Sequence, residues 1–323
     1  MIVATSSRQR IDVHHHFWPQ RYMREEQERN PAYSHSSAGK DRLLRWTAEQ
    51  AIEVMDRHGI ACAIGSISTP GVWFGDVAAT RRLSRDWNEE GAKTVHDHPR
   101  RFGFFAVVAP PDTEGALREI EYTLDTLKAD GIGLLSNYDG KSLGDAAFAP
   151  VFEELNRRES VVFVHPTMHP ATATLIPGLV SQGIEFPFET TRAITSLVLN
   201  GTLASCPNIK FIFSHGAGVL PYLGARIEHV GATVKAFRDN NPDGIEHALK
   251  RLYCDTAAAT SAPQLAAMTN FFPASHILYG SDYPFIAPGP DVEELHAFAM
   301  ADSARTAMER DNALALFPRL AGL

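Results

Sequence analysis

The strongest constraint on this chain is an alternation that runs along its whole length. Short apolar segments rich in β-branched residues recur between longer amphipathic ones. Strands are predicted at 10–13, 61–67, 102–108, 131–135, 161–164, 209–213, 252–255 and 276–279. Helices are predicted between them at about 47–58, 76–98, 113–129, 146–157, 189–204, 220–238 and 262–272, with three more near 292–300, 302–309 and 311–317. Eight strands separated by helices predict an α/β fold of the (β/α)8 TIM barrel type. A doubly wound open sheet is the alternative, but it usually carries a glycine-rich turn after its first strand. Here the first strand runs into histidines, and neither GxGxxG nor GxxxxGK[ST] occurs. With 323 residues, 1–323 reads as a single barrel domain, with 19–45 as an inserted segment after the first strand. Residues 166–188 form a second long loop. Both would lie on the face of the barrel where long loops shape pockets.

Composition narrows the class of partner. The chain is 44% hydrophobic and 21% charged, which suits a folded protein with a large core. Its apolar runs reach only about five to seven residues, against the roughly 18 that a membrane span needs. Residues 1–10 lack the apolar stretch of a secretory signal. Lys and Arg number 30 against 38 for Asp and Glu, a net charge of -8 with the basic residues dispersed, so neither nucleic acid nor membrane is expected as a partner. Three isolated cysteines suit reduced thiols and a cytoplasmic location.

Barrel sites are built at the C-terminal ends of strands. The first strand, Ile11-Asp12-Val13, ends in His14-His15-His16. The fifth ends in His165, the sixth in His215 and the eighth in Asp282. Alternation along a strand puts His14 and His16 on one side and His15 on the other, so two imidazoles can grip one ion. Ligands from distant strands would complete a mixed nitrogen and oxygen site suited to Zn²⁺ or Mn²⁺. The fourth strand, Gly131-Ile132-Gly133-Leu134-Leu135, offers no Lys, Glu or Cys to bridge two metals. A single divalent ion held by His14, His16, His165 and Asp282 is the simpler expectation, which leaves His215 for proton transfer. The other histidines read as surface or supporting groups, with His169 the one among them that has a plausible site role.

These pieces resemble the amidohydrolase superfamily, in its decarboxylase branch typified by 2-amino-3-carboxymuconate 6-semialdehyde decarboxylase and the resorcylate and 6-methylsalicylate decarboxylases. The resemblance is carried by Ile11-Asp12-Val13-His14-His15-His16, Phe163-Val164-His165-Pro166 and Phe213-Ser214-His215-Gly216-Ala217-Gly218 with Leu220-Pro221. Tyr279-Gly280-Ser281-Asp282-Tyr283-Pro284-Phe285 and Asn312-Ala313-Leu314-Ala315-Leu316-Phe317 complete it, in family order. The opening, with Phe17, Trp18 and Pro19, looks most like the 6-methylsalicylate type. The resorcylate type starts with Glu-x-His, from which this chain departs. The resemblance implies a distorted barrel with one divalent metal, usually zinc and in some members manganese. It implies His14, His16, His165 and Asp282 as ligands, with His215 and Asp282 in the catalytic step. It also implies a substrate-binding arginine eleven residues past the sixth-strand histidine, where Arg226 stands. At 1.5 Å per residue eleven helical positions span roughly 16 Å, too far for an easy reach into the chain's own site. A homodimer or larger homo-oligomer, with Arg226 serving a neighbour's site, is therefore expected.

The expected activity is non-oxidative decarboxylation of a hydroxylated aromatic or related unsaturated carboxylic acid. The alternative is metal-dependent hydrolysis of a lactone or related carbonyl compound, and a third reading is a catalytically dead metal-binding scaffold, against which the complete ligand set argues. Phe17, Trp18 and Phe285 are the favoured substrate contacts, and Trp73, Phe74, Phe188 and Tyr283 are further pocket candidates.

Overall fold

The computed structural model describes residues 10–17, 19, 22, 46–172, 175–176 and 180–322. Most of the 19–45 insertion lies outside the described residues. The strands are β1 (Arg10–His16), β2 (Ile60–Ser66), β3 (Phe102–Val107), β4 (Gly131–Leu135), β5 (Asn137–Tyr138), β6 (Lys141–Ser142), β7 (Val161–His165), β8 (Lys210–Phe213), β9 (Tyr253–Asp255) and β10 (Ile277–Leu278). Eight of them form one parallel sheet in the order β1-β2-β3-β4-β7-β8-β9-β10, while β5 and β6 pair as a small antiparallel hairpin. The sheet curls into a nearly closed barrel. Its last joint consists of single bonds: Val13 N donates to Tyr279 O at 3.0 Å, Asp282 N to His14 O at 2.8 Å and His16 N to Tyr283 O at 2.7 Å.

The helices are α1 (Ala48–Arg57), α2 (Val77–Asp97), α3 (Thr113–Asp125), α4 (Ala149–Arg157), α5 (Glu185–Leu199), α6 (Thr202–Ser205), α7 (Leu220–Gly231), α8 (Lys235–Asn240), α9 (Ile245–Lys250), α10 (Ala262–Phe271), α11 (Pro288–Ala297), α12 (Asp302–Thr306) and α13 (Asn312–Leu316). Side-chain caps start several of them: Thr47, Asp76 and Asp112 each accept from a backbone N–H three residues on. The helix predicted at 220–238 breaks after Gly231, a poor helix former at the end of its run. The one predicted at 189–204 starts earlier, at Glu185, and breaks at Gly201, whose φ of 76° is left-handed. A π-helical turn, Ala307–Asp311, joins α12 to α13. None of the described helices is long and apolar enough to cross a membrane.

Two apolar layers follow from strand alternation. Ile11, Val13, Cys62, Ile64, Phe105, Val161, Phe163, Ile212 and Leu278 fill the barrel interior, joined by Ala313, Phe317 and Leu320. Arg319 anchors that C-terminal segment at the N-terminal mouth, donating to Asp130 at 2.9 and 2.8 Å. Ala63, Phe104, Ile132, Val162 and Phe211 face outward, under the helices.

One irregularity decides the site. Asp12 pairs with Ala63 and His15 with Gly65, so β1 holds one residue more than β2 over this stretch. Ile11 and Val13 face inward, and unbroken alternation would send His15 in after them. The bulge instead turns His14 and His16 inward. His15 points away and stacks on Tyr283 at 5.0 Å.

Candidate active site

The inward side chains converge at the C-terminal end of the ring. One ligand-competent atom from each of His14, His165, His215 and Asp282 lies within 4.8 Å of the others. His16 joins them, its Nε2 3.2 Å from His14 Nε2 and 3.1 Å from Asp282 Oδ1. His14 Nε2 is 3.4 Å from the same oxygen. The rings of His165 and His16 are centred 5.0 Å apart, roughly edge to face.

Outer partners fix which nitrogen of each ring faces the centre. His14 Nδ1 lies 2.8 Å from Asp255 Oδ2, His16 Nδ1 3.1 Å from the Ser66 carbonyl and His165 Nδ1 2.8 Å from the Pro166 carbonyl. All three partners are acceptors, so each Nδ1 carries the proton. In the neutral rings, three Nε2 lone pairs and the Asp282 carboxylate then face one another. Acceptors packed this closely require a cation, and three imidazoles with one carboxylate are a donor set suited to a borderline divalent ion. The residues present therefore fit the metal that the sequence implies.

Titration behaviour reflects the same crowding. Burial pushes the His14 imidazole down, but the carboxylates of Asp255 and Asp282 outweigh it and raise the group to about 10. Burial holds His16 below its usual range and, together with the neighbouring imidazoles, holds His165 well below it. For Asp282 the upward push of burial is overcome by the adjoining imidazoles of His14, His16 and His215, and the carboxyl stays well below the ordinary range.

His215 is placed differently. It stands just past β8 with φ 57° and ψ 50°, followed by Gly216 and Ala217, also at positive φ. Asp282 has φ 57° as well. A left-handed non-glycine residue costs on the order of 1 kcal/mol, so two among the converging side chains mark a geometry that the surroundings must enforce. The His215 Nε2 reaches to 3.6 Å from Asp282 Oδ2, and its buried Nδ1 has no partner among the described residues. It belongs to the same converging set as His14, His165 and Asp282, yet its contact with Asp282 is longer than those of His14 and His16.

Other predicted site residues separate into groups. Phe285 borders the cluster, its ring 5.3 Å from that of His16. Trp18 lies outside the described residues. Phe17 is corrected: its ring is buried and stacked on Trp87 at 4.2 Å. It fills the room left by Gly65, where a Cβ would come within 2.3 Å of the ring. A residue that follows the inward His16 on a strand must point outward, into the layer under the helices. Arg226 is exposed on α7 and has no hydrogen bond or ion pair among the described residues. His169 is tied to the hairpin, its Nε2 3.1 Å from the Gly140 carbonyl, and stays out of the cluster. Trp73 Nε1 donates to Asp139 at 2.6 Å, and Phe188 lies exposed beneath the Arg192 guanidinium.

Two supporting carboxylates escaped the sequence reading. Asp255 ends β9 as Asp282 follows β10, so the strand-end rule that found the others applies to it equally. Asp12 accepts from the backbone N–H groups of His14 and Ser281 at 3.1 and 3.0 Å and from the Ser281 hydroxyl at 2.6 Å, fastening β1 to the segment that carries Asp282.

Known proteins share this frame. The chain is 36% identical to the decarboxylase yanB of Aspergillus niger, over 96% of this chain and 88% of the relative. It is 35% identical to the 6-methylsalicylic acid decarboxylase of Penicillium expansum, over 97% and 98%. Among solved structures, a 5-carboxyvanillate decarboxylase from Novosphingobium aromaticivorans, complexed with manganese and 4-hydroxy-3-methoxy-5-nitrobenzoic acid, superposes with a TM-score of 0.86 at 22% identity, covering 98% of this chain and 100% of that one. The amidohydrolase family profile matches residues 11–319, nearly the whole barrel, and the chain belongs to that family.

Proposed function

We propose that this protein is a metal-dependent, non-oxidative decarboxylase of a hydroxylated aromatic acid of the salicylate type. The observation that carries the reading is the convergence of His14, His165, His215 and Asp282, which His16 joins through its Nε2. Decarboxylase relatives at 35–36% identity across almost the full chain support the carboxy-lyase reaction, one of them named for 6-methylsalicylic acid. His14, His16, His165 and Asp282 would hold one divalent ion. Zinc is preferred because imidazole nitrogens outnumber carboxylates in the set, with manganese as the other candidate. When bound, the ion supplies a positive charge that binds and orients the carboxylate and its ortho oxygen.

Losing CO₂ from an aromatic acid needs somewhere for the electron pair of the breaking bond to go. His215, protonated, donates its proton to the ring carbon bearing the carboxylate, and the ionised Asp282 beside it steadies the imidazolium before transfer. The C–C bond to the carboxylate then breaks, its electrons restore the aromatic ring, and CO₂ leaves. Phe285 offers an apolar edge for the substrate ring beside His16. The buried His14, His16 and His165 limit water at the reacting carbon.

The substrate carboxylate also calls for a cation, and no Lys or Arg bonds to His14, His165, His215 or Asp282 among the described residues. Arg226 shares an exposed face of α7 with Tyr222 and Val230, 86% and 51% exposed. A homo-oligomer that buries this face and lends Arg226 to a neighbour's site fits both facts. Three buried free cysteines agree with a reducing, cytoplasmic setting.

The test is incubation of the zinc- or manganese-loaded protein with 6-methylsalicylate, other hydroxybenzoates and a panel of lactones. Release of CO₂ in step with the corresponding phenol is expected. Lactone opening without CO₂ release from any acid would replace this reading with the hydrolytic one.

A further inference from the structure

Asp255 is fully buried at the end of β9, and its two oxygens have separate tasks. Oδ2 accepts from His14 Nδ1 at 2.8 Å. Oδ1 accepts from the backbone N–H of His215 at 2.9 Å and of Ala257 at 3.0 Å. The first contact fixes the tautomer that turns His14 Nε2 toward the acceptor cluster. The second holds the chain where it bends to present His215. Space for this is reserved by Gly280, where a Cβ would stand 2.7 Å from His14 Cβ and 3.0 Å from Asp255 Cβ.

We propose that Asp255 is a positioning residue that sets two groups at once, the metal-facing nitrogen of His14 and the backbone that carries His215. The role assigned to His215 rests on the decarboxylase reading; the coupling itself does not. One carboxylate thereby ties the tautomer of a metal ligand to the placement of the proton carrier.

Asp255→Asn pulls these tasks apart. The amide oxygen can still accept from the two backbone N–H groups, but the amide nitrogen then meets His14 Nδ1–H donor to donor. Turning the amide over would aim its NH₂ at both backbone donors, so the imidazole must yield and move its proton to Nε2. Zinc affinity, measured by chelator competition, should weaken by about 10–100-fold. The His215 amide should stay protected from hydrogen exchange, and ¹⁵N spectra of labelled histidine should show His14 Nδ1 without its proton. Asp255→Ala should lose zinc affinity and His215 protection together. Wild-type zinc affinity in a folded Asp255→Asn protein would overturn the proposal. If the variants do not fold, the zinc-loaded wild type decides: a slowly exchanging His14 Nδ1 proton and a protected His215 amide support it, and rapid exchange of either refutes it. Neither readout involves turnover, so a protein that passes these tests yet releases no CO₂ would sink the functional reading alone.

Discussion

Strand β1 begins and ends in buried ionisable side chains, and the two ends are wired in opposite ways. At its start Arg10 donates through Nε and Nη2 to Glu309 at 3.1 and 2.9 Å and through Nη1 to the His58 carbonyl at 2.7 Å. Cation meets anion, with His296 Nε2 close to both. At its end His14 and His16 bring lone pairs toward other lone pairs and a carboxylate. The first cluster balances its charge from within, with only Glu309 Oε2 left without a partner among the described residues, while the second has a surplus of acceptors that calls for an added cation. Burial and charge are common to both. The balance of donors against acceptors separates a structural lock from a site that needs something from outside.

That contrast is open to attack. The heaviest blow should come from His165→Ala, which takes a lone pair out of the surplus: metal content and decarboxylation are expected to vanish together. A variant that keeps stoichiometric metal would remove His165 from the ligand set. His215→Asn should leave the metal in place and lower kcat by roughly 10²–10⁴-fold. An emptied site in that variant would make His215 a ligand. At the other end of β1, Arg10→Met leaves Glu309 buried with only His296 beside it, which should cost about 3 kcal/mol of unfolding free energy. Metal stoichiometry in the folded protein should not change, and if it fell the two ends would not be independent. The smallest effect is expected from Arg226→Ala, a rise in KM for the carboxylate substrate with little change in kcat. Mixing it with His215→Asn sharpens the point, because a mixed dimer would hold one site with both wild-type residues. No recovery of activity after verified subunit exchange would place Arg226 in its own chain's site or outside catalysis.

Much of this was legible in the residues. Strands that must be buried on both faces read as apolar runs, and His165 and Asp282 were found because they close or follow such runs. The same reasoning applied to Leu252-Tyr253-Cys254-Asp255 reaches Asp255, which no motif announces. Phe17 was misplaced by adjacency to the ligands, although alternation from His16 already points it outward. The Asp139-Gly140 pair is a hairpin signal, and the structure uses it between β5 and β6 with both residues at positive φ. The bulge in β1 was not legible. It exists only in the pairing of Asp12 and His15 with Ala63 and Gly65, so three successive histidines alone do not say which of them face inward. Arg226 shows the same limit from another side, since a helix face can be read from sequence but the molecule that covers it cannot.

The joint between β10 and β1 carries a mechanical consequence. It is a row of separate bonds from Val13, His16 and Asp282, unlike the longer ladder between β1 and β2. His14 and His16 stand on one side of it and Asp282 on the other, so an ion held by all three would work as a rivet across the joint that closes the ring. Part of the energy of binding is then spent on keeping the barrel shut. Stripping the metal should let this joint open before any other, with the amides of Val13, His16 and Asp282 exchanging first, while those within β7 and β8 remain protected.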